Sequence, residues 1–363
     1  MMFTDRRANS RDTRRPKQAW PIDRPFKILA LDGGGIRGIY TAELMRRCEA
    51  RFGRPVASVF DMIAGTSTGG IIALGLGLGM SAGEISDFYR EDGRHIFPPL
   101  PRHRLLQWWR CLRSLRRARL DHEELERALR RRFESHLLGE SICRLVIPAF
   151  MMPKTEIAVF KTDHHEDYCN DYKTPMWQVA RATSAAPTYL KGLEHKESGR
   201  IFIDGGVWAN NPSMVALVDV LTAYDIAPDQ VQMLSIGTGN APFSLSSDKV
   251  MGGLIAWREA IKAAMFLTTD NATAQVQLLL GPERCLRIEP GEDDAAAIEM
   301  DDYDAAFARL PALAAKDFSI HEASIGQFFA QTVLPRDRHY TKDRDWVRRS
   351  LAGNNDAGSV RSA

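Results

Sequence analysis

Residues 26–38, FKILALDGGGIRG, and residues 59–70, VFDMIAGTSTGG, decide how this 363-residue chain is read. Each is a short apolar run that enters a glycine turn. A segment of helical texture follows each one: IYTAELMRRCEARFG (39–53), with Gly53 as its stop, and IIALGLGLGM (71–80). Strand, glycine turn and helix repeated at this interval predict an α/β domain on a mainly parallel sheet. Further strands are expected at RLVIPAFMM (144–152), EIAVFKT (156–162), RIFIDGG (200–206) and VQMLSIGTG (231–239). Helical texture returns at 212–224 and 254–280.

Around these elements the chain reads as one catalytic domain over 25–335, with a basic helical insertion at 95–135 and C-terminal helices over 251–335. A disordered basic arm (1–24) is expected before it and a polar tail (336–363) after it. The acidic stretch from Gly291 to Asp304 reads as a solvated loop or helix cap.

Composition narrows the function classes. With 44% apolar and 26% charged residues the chain is an ordinary globular protein, and a net charge of +2 excludes a polyelectrolyte built for DNA or RNA. Cys48, Cys111, Cys143, Cys169 and Cys285 are odd in number and without CxxC spacing, which argues for a reducing compartment and against a disulfide framework or zinc site. The first twenty residues lack the apolar core of a secretory signal, and the longest apolar stretch, 62–80, is broken by Thr66, Ser67, Thr68 and glycines. A cytoplasmic protein is expected, touching membrane only peripherally.

Gly65-Thr66-Ser67-Thr68-Gly69 satisfies the G-x-S-x-G pattern between an apolar strand and an apolar helix. A serine at such a turn has its hydroxyl lifted clear of the backbone, and the following helix aims its positive end at developing negative charge. The loop Asp32-Gly33-Gly34-Gly35-Ile36-Arg37-Gly38 also fits GxGxxG, a dinucleotide fingerprint. The acid expected about 20 residues later for a ribose does not come until Asp61, directly before the serine strand. The loop therefore reads as a cradle of amides for the oxyanion of an acyl-transfer intermediate.

A serine nucleophile needs a base. His321 and His339 are the late histidines a Ser–Asp–His triad would draw on, and both read as surface residues. Asp204, delivered by the strand RIFI and followed by Gly205 and Gly206, is the alternative. A turn-capping role competes with it.

DGGGIRG, GTSTGG and IDGG, in that order, resemble the three signatures of patatin-like phospholipases. ATSAAPTYL (182–190) and LSIGTG (234–239) are similar to secondary blocks of the same family, so the resemblance spans roughly residues 26–240. It implies a three-layer αβα sandwich with a mainly parallel central sheet. It also implies hydrolysis of phospholipid acyl esters by a Ser–Asp dyad, without cofactor or metal. Carried over, Ser67 is the nucleophile and Asp204 the base. The oxyanion loop supplies Gly33, Gly34, Gly35, Arg37 and Gly38, Gly65 and Gly69 flank the nucleophile, and Gly205 and Gly206 follow the base.

Residues 97–119 contain Arg102, Arg104, Arg110, Arg113, Arg116, Arg117 and Arg119 and no acid, with Leu105, Trp108, Trp109, Leu112 and Leu115 at helical spacing. This suits an anionic lipid interface, a bound anion, or a core-packed helix with a basic face. Compact bacterial patatin-like enzymes include antiphage effectors switched on by cyclic oligonucleotides. Similarity to them implies a cyclic di- or trinucleotide activator, held by arginines near 102–132 and helices after Met251, and a homo-oligomer.

Overall fold

The structure, a computed structural model, describes residues 16–99, 119–195, 198–239, 260–291 and 298–341. β2 (Phe26–Leu31) is buried along its whole length, as a central parallel strand covered on both faces must be. Leu29 and Leu31 enter one core, and Phe26, Ile28 and Ala30 enter the other. The first core is closed by α1 (Gly38–Phe52), α2 (Thr68–Gly77), α3 (Ala82–Glu91), α4 (His122–Phe133) and α5 (Met176–Thr183), joined by the long α8 (Tyr303–Phe329). The second is closed by α6 (Ser213–Ala223) and α7 (Ala260–Leu280). This is the expected αβα sandwich, and Gly53, at φ 66°, ends α1 as its position in the sequence predicts.

The sheet runs β10 (Cys285–Ile288), β9 (Val231–Ile236), β2, β3 (Met62–Gly65), β4 (Arg144–Met152), β7 (Arg200–Asp204), β6 (Leu193–His195), with β5 (Glu156–Lys161) also on β4. The pairs from β10 to β4 are parallel, whereas β5, β7 and β6 join antiparallel. One register positions the site. β3 pairs with Arg144–Val146 of β4, and β7 pairs with Ala149–Met152. β5 overlaps both spans, pairing from Val146 to Met151, and so occupies the opposite edge. β3 and β7 therefore share one edge of β4 and run toward each other. Their carboxyl ends meet head-on.

Several boundaries differ from the sequence reading. Residues 16–24 are not a free arm: β1 (Gln18–Ala19) pairs with β8 (Tyr224–Asp225), and Trp20 packs on Phe26 and Tyr224. The tail is docked as far as Thr341. Asp163, fully buried, draws in Arg336 Nη1 at 2.7 Å and the Thr341 N–H at 2.8 Å, because a buried carboxylate needs donors. The acidic stretch supplies the expected helix cap and is solvated only in part. Ile298 is buried, the Met300 carbonyl accepts the Ile36 N–H, and Asp302 caps α8 through the Ala305 N–H. β6 and β10, too short to show a period, were not expected. Residues 1–15, most of the basic segment (100–118), 251–259 and the tail from 342 lie outside the described residues. No described helix is long and apolar enough to cross a membrane.

Candidate active site

Ser67 stands between β3 and α2 with φ 55° and ψ −122°, a conformation that costs a non-glycine residue about 1–3 kcal/mol. The neighbouring glycines permit the turn. A Cβ on Gly65 would lie 2.1 Å from the Gly69 carbonyl oxygen, and one on Gly69 would lie 2.2 Å from that of Leu31. The Ser67 N–H donates to Thr183 Oγ1 at 3.0 Å, and Thr183 Oγ1 donates to the Pro148 carbonyl at 2.6 Å. The serine is thereby held in its strained state from outside its own turn.

The glycine loop lies beside this turn, because β2 and β3 pair in parallel with Leu31 opposite Gly65. Its five expected residues divide by what their donors do. The Gly33 N–H is committed to the Asn210 carbonyl at 3.1 Å, and the Gly38 N–H turns back to the Gly35 carbonyl. The Arg37 guanidinium binds the carbonyls of Gly34 and Gly239 and is buried behind the loop. These three shape the loop and do not offer donors to a substrate. Gly34 and Gly35 line the pocket, and no acceptor among the described residues takes their N–H groups. Beneath them Asp32 forms a two-pronged pair with Arg287 at 2.9 and 2.6 Å, and burial still holds its carboxyl up at about 6.

Asp204 ends β7 opposite Ala149, facing the Ser67 turn along the β4 edge. Burial raises its carboxyl to about 6, against the opposing pull of the Ser67 hydroxyl and of the Gly206 N–H, which donates to Oδ1 at 2.7 Å. The hydrogen bond with the Ser67 side chain favours the charged carboxylate, as does the Gly206 bond. The Gly205 N–H binds the Thr183 carbonyl and the Asp204 N–H binds that of Ala185. A Cβ on Gly205 would lie 2.4 Å from the Pro148 carbonyl oxygen, so the chain turns tightly against β4.

Ser67 and Asp204 open into a pocket walled by Ile71, Phe88, Ile96, Phe97, Leu120 and Leu125. Met265 of α7 and Met300 reach it from the C-terminal part of the chain. Neither His321 nor His339 lines it; His339 instead binds the Asp163 carbonyl through its N–H. Among the described residues of the basic segment, Phe97 lines the pocket, and Arg119 lies 5.2 Å from the Tyr189 ring.

Thr183 is the residue the motifs did not single out. It lies inside ATSAAPTYL, and only its two-sided bonding, to Ser67 on one side and Gly205 on the other, reveals its place. Thr183→Val is expected to slow labelling of Ser67 by a fluorophosphonate about ten- to a hundredfold, the scale of a small misplacement at a reacting centre. Thr183→Ser should restore it. Equal rates for wild type and Thr183→Val would remove the residue from the site.

A family model, described as Patatin-like phospholipase, matches residues 29–217. A cGAMP-activated phospholipase of Pseudomonas aeruginosa is 38% identical over 242 residues, covering 63% of this chain and 69% of that protein. One from Vibrio cholerae is 34% identical over 253 residues, covering 65% and 71%. Calcium-independent phospholipase A2-gamma of Oryctolagus cuniculus is 28% identical over 283 residues, covering 74% of this chain and 35% of its own. With the model spanning more than half of the 363 residues, the chain belongs to the patatin-like phospholipase family.

Proposed function

We propose that the chain is a phospholipase A-type lipid acyl hydrolase with Ser67 as nucleophile and Asp204 as general base. The supporting observation is a strained serine facing a buried carboxylate, beside two amides unclaimed among the described residues, at an apolar pocket. Asp204 accepts the hydroxyl proton as Ser67 Oγ attacks the ester carbonyl. The Gly34 and Gly35 N–H groups hold the oxyanion, each such donor contributing about 3–4 kcal/mol. The lysolipid alkoxide leaves with the proton from Asp204. A water then loses its proton to Asp204, attacks the acyl-serine, and releases the fatty acid as the proton returns to Ser67. The apolar walls suit an acyl chain, at about 0.8 kcal/mol per methylene removed from water.

The base must be ionised to act. With Asp204 raised to about 6 by burial, kcat/KM on a short uncharged ester is expected to fall as pH drops through about 6. A limb near 4, the ordinary carboxylate range, would assign the base elsewhere.

The natural substrate in this reading is membrane phospholipid, reached by peripheral docking from the cytoplasm. A cyclic nucleotide is the proposed activator, acting through contacts between copies of the chain. Support comes from relatives named cGAMP-activated phospholipases and from the arginine-rich stretch 97–119. Release of fluorophore from phospholipid vesicles, measured with and without a panel of cyclic di- and trinucleotides, tests both parts. Activity is expected to rise with one of them. Equal activity with all and with none would remove the switch and leave the hydrolase.

A further inference from the structure

The segment after Asp204, GVWANNP (206–212), contains a feature the proposed mechanism does not use. Consecutive carbonyls hold both turns of the site: Ala209 accepts Thr66 Oγ1 at 2.7 Å, and Asn210 accepts the Gly33 N–H at 3.1 Å. The side chains of Asn210 and Asn211 reach the other way, to α7. Asn210 Nδ2 donates to Thr269 Oγ1 at 3.1 Å and Asn211 Nδ2 to Thr273 Oγ1 at 3.0 Å, one helical turn apart. Met265, a further turn back on α7, lines the pocket.

Asn210 is 1% exposed, and its Oδ1 has no hydrogen-bond partner among the described residues. That oxygen is wedged inside the site. A Cβ on Gly33 would lie 2.5 Å from it and 3.2 Å from Ser67 Cβ. A Cβ on Gly206 would lie 3.2 Å from it and 3.1 Å from Asp204 Oδ1. The nucleophile turn, the glycine loop and the Asp204 turn thus converge on one amide. A buried carbonyl without a donor costs about 1–3 kcal/mol. The bond from Nδ2 to Thr269 Oγ1 is the contact that orients the amide with Oδ1 toward the site.

We propose that Asn210, oriented by Thr269, is a positioning residue that sets the glycine loop against Ser67 and Asp204, which makes α7 part of the catalytic apparatus. This rests on the Ser67–Asp204 reading. Thr269→Val keeps shape and removes the hydroxyl, Thr269→Ser keeps the hydroxyl, and Asn210→Ala keeps the backbone carbonyl that holds Gly33.

Fluorophosphonate labelling of Ser67, turnover of a short ester and melting temperature are measured on each. Thr269→Val and Asn210→Ala are expected to lower kcat and the labelling rate together by about ten- to a hundredfold with KM little changed. Thr269→Ser should recover most of the rate, and the double variant should be no slower than Asn210→Ala alone, since both changes break one bond. Labelling at the wild-type rate in Thr269→Val, activity lost only in proportion to unfolded protein, no recovery with Thr269→Ser, or additive losses in the double variant would each overturn the proposal. Failure of wild type to label at Ser67 would instead remove the nucleophile assignment beneath it.

Discussion

Ser67→Ala is expected to abolish ester turnover, with a loss on the order of 10⁴- to 10⁶-fold, and to remove all fluorophosphonate labelling. The size follows from the chemistry: without Oγ there is no acyl-enzyme, and Asp204 has no hydroxyl to deprotonate. Residual hydrolysis would come only from water activated by Asp204 next to the Gly34 and Gly35 amides. A second variant separates chemistry from fold. Alanine retains the Cβ that makes φ 55° unfavourable, whereas glycine tolerates it. Ser67→Gly should therefore be as inactive as Ser67→Ala and more stable by about 1–2 kcal/mol. Turnover above a hundredth of wild type in either variant would assign the nucleophile elsewhere. Equal melting temperatures would show that the turn stores no strain.

Asp204→Asn is expected to be as inactive as Ser67→Ala, because an amide takes no proton, while gaining stability above pH 7. The sign follows from the raised carboxyl. Folding moves Asp204 from its ordinary 3.8 to about 6 by burying it, so between those values the folded protein binds more protons than the unfolded chain. Stability from this group thus falls as pH rises through that window, and above it the buried charge is a constant penalty. A shift of this size corresponds to on the order of 3 kcal/mol, and asparagine removes it while keeping an acceptor for the Gly206 N–H. Thermal unfolding at pH 5 and pH 8 tests this: the advantage of the variant should grow from the lower pH to the higher. A destabilised variant at pH 8 would mean that the ionised carboxylate holds the fold together, as a turn cap would.

What the sequence made legible is local. β2 and β3 were readable because strands covered on both faces are continuous apolar runs, and the nucleophile turn because G-x-S-x-G demands crowding that only glycine relieves, as at Gly65 and Gly69. Other features depended on partners far along the chain. Arg336 reads as tail until buried Asp163 supplies its counter-charge, and residues 18–19 read as arm until Tyr224–Asp225 supply a strand. The glycine loop showed five candidate oxyanion residues. Which of these amides are already taken depended on acceptors elsewhere in the chain, such as the Asn210 carbonyl that holds the Gly33 N–H.

The sequence by itself determined the α/β class, the sharp serine turn and the strand carrying Asp204, since each is set by residues within a few positions of one another. Only the tertiary structure decided that β7 approaches β3 head-on along one edge of β4, and that Thr183 and Asn210 fasten the turns from outside. The physical reason is that strand direction and register are chosen by the packing of the whole sheet. No stretch of the chain contains that choice within itself.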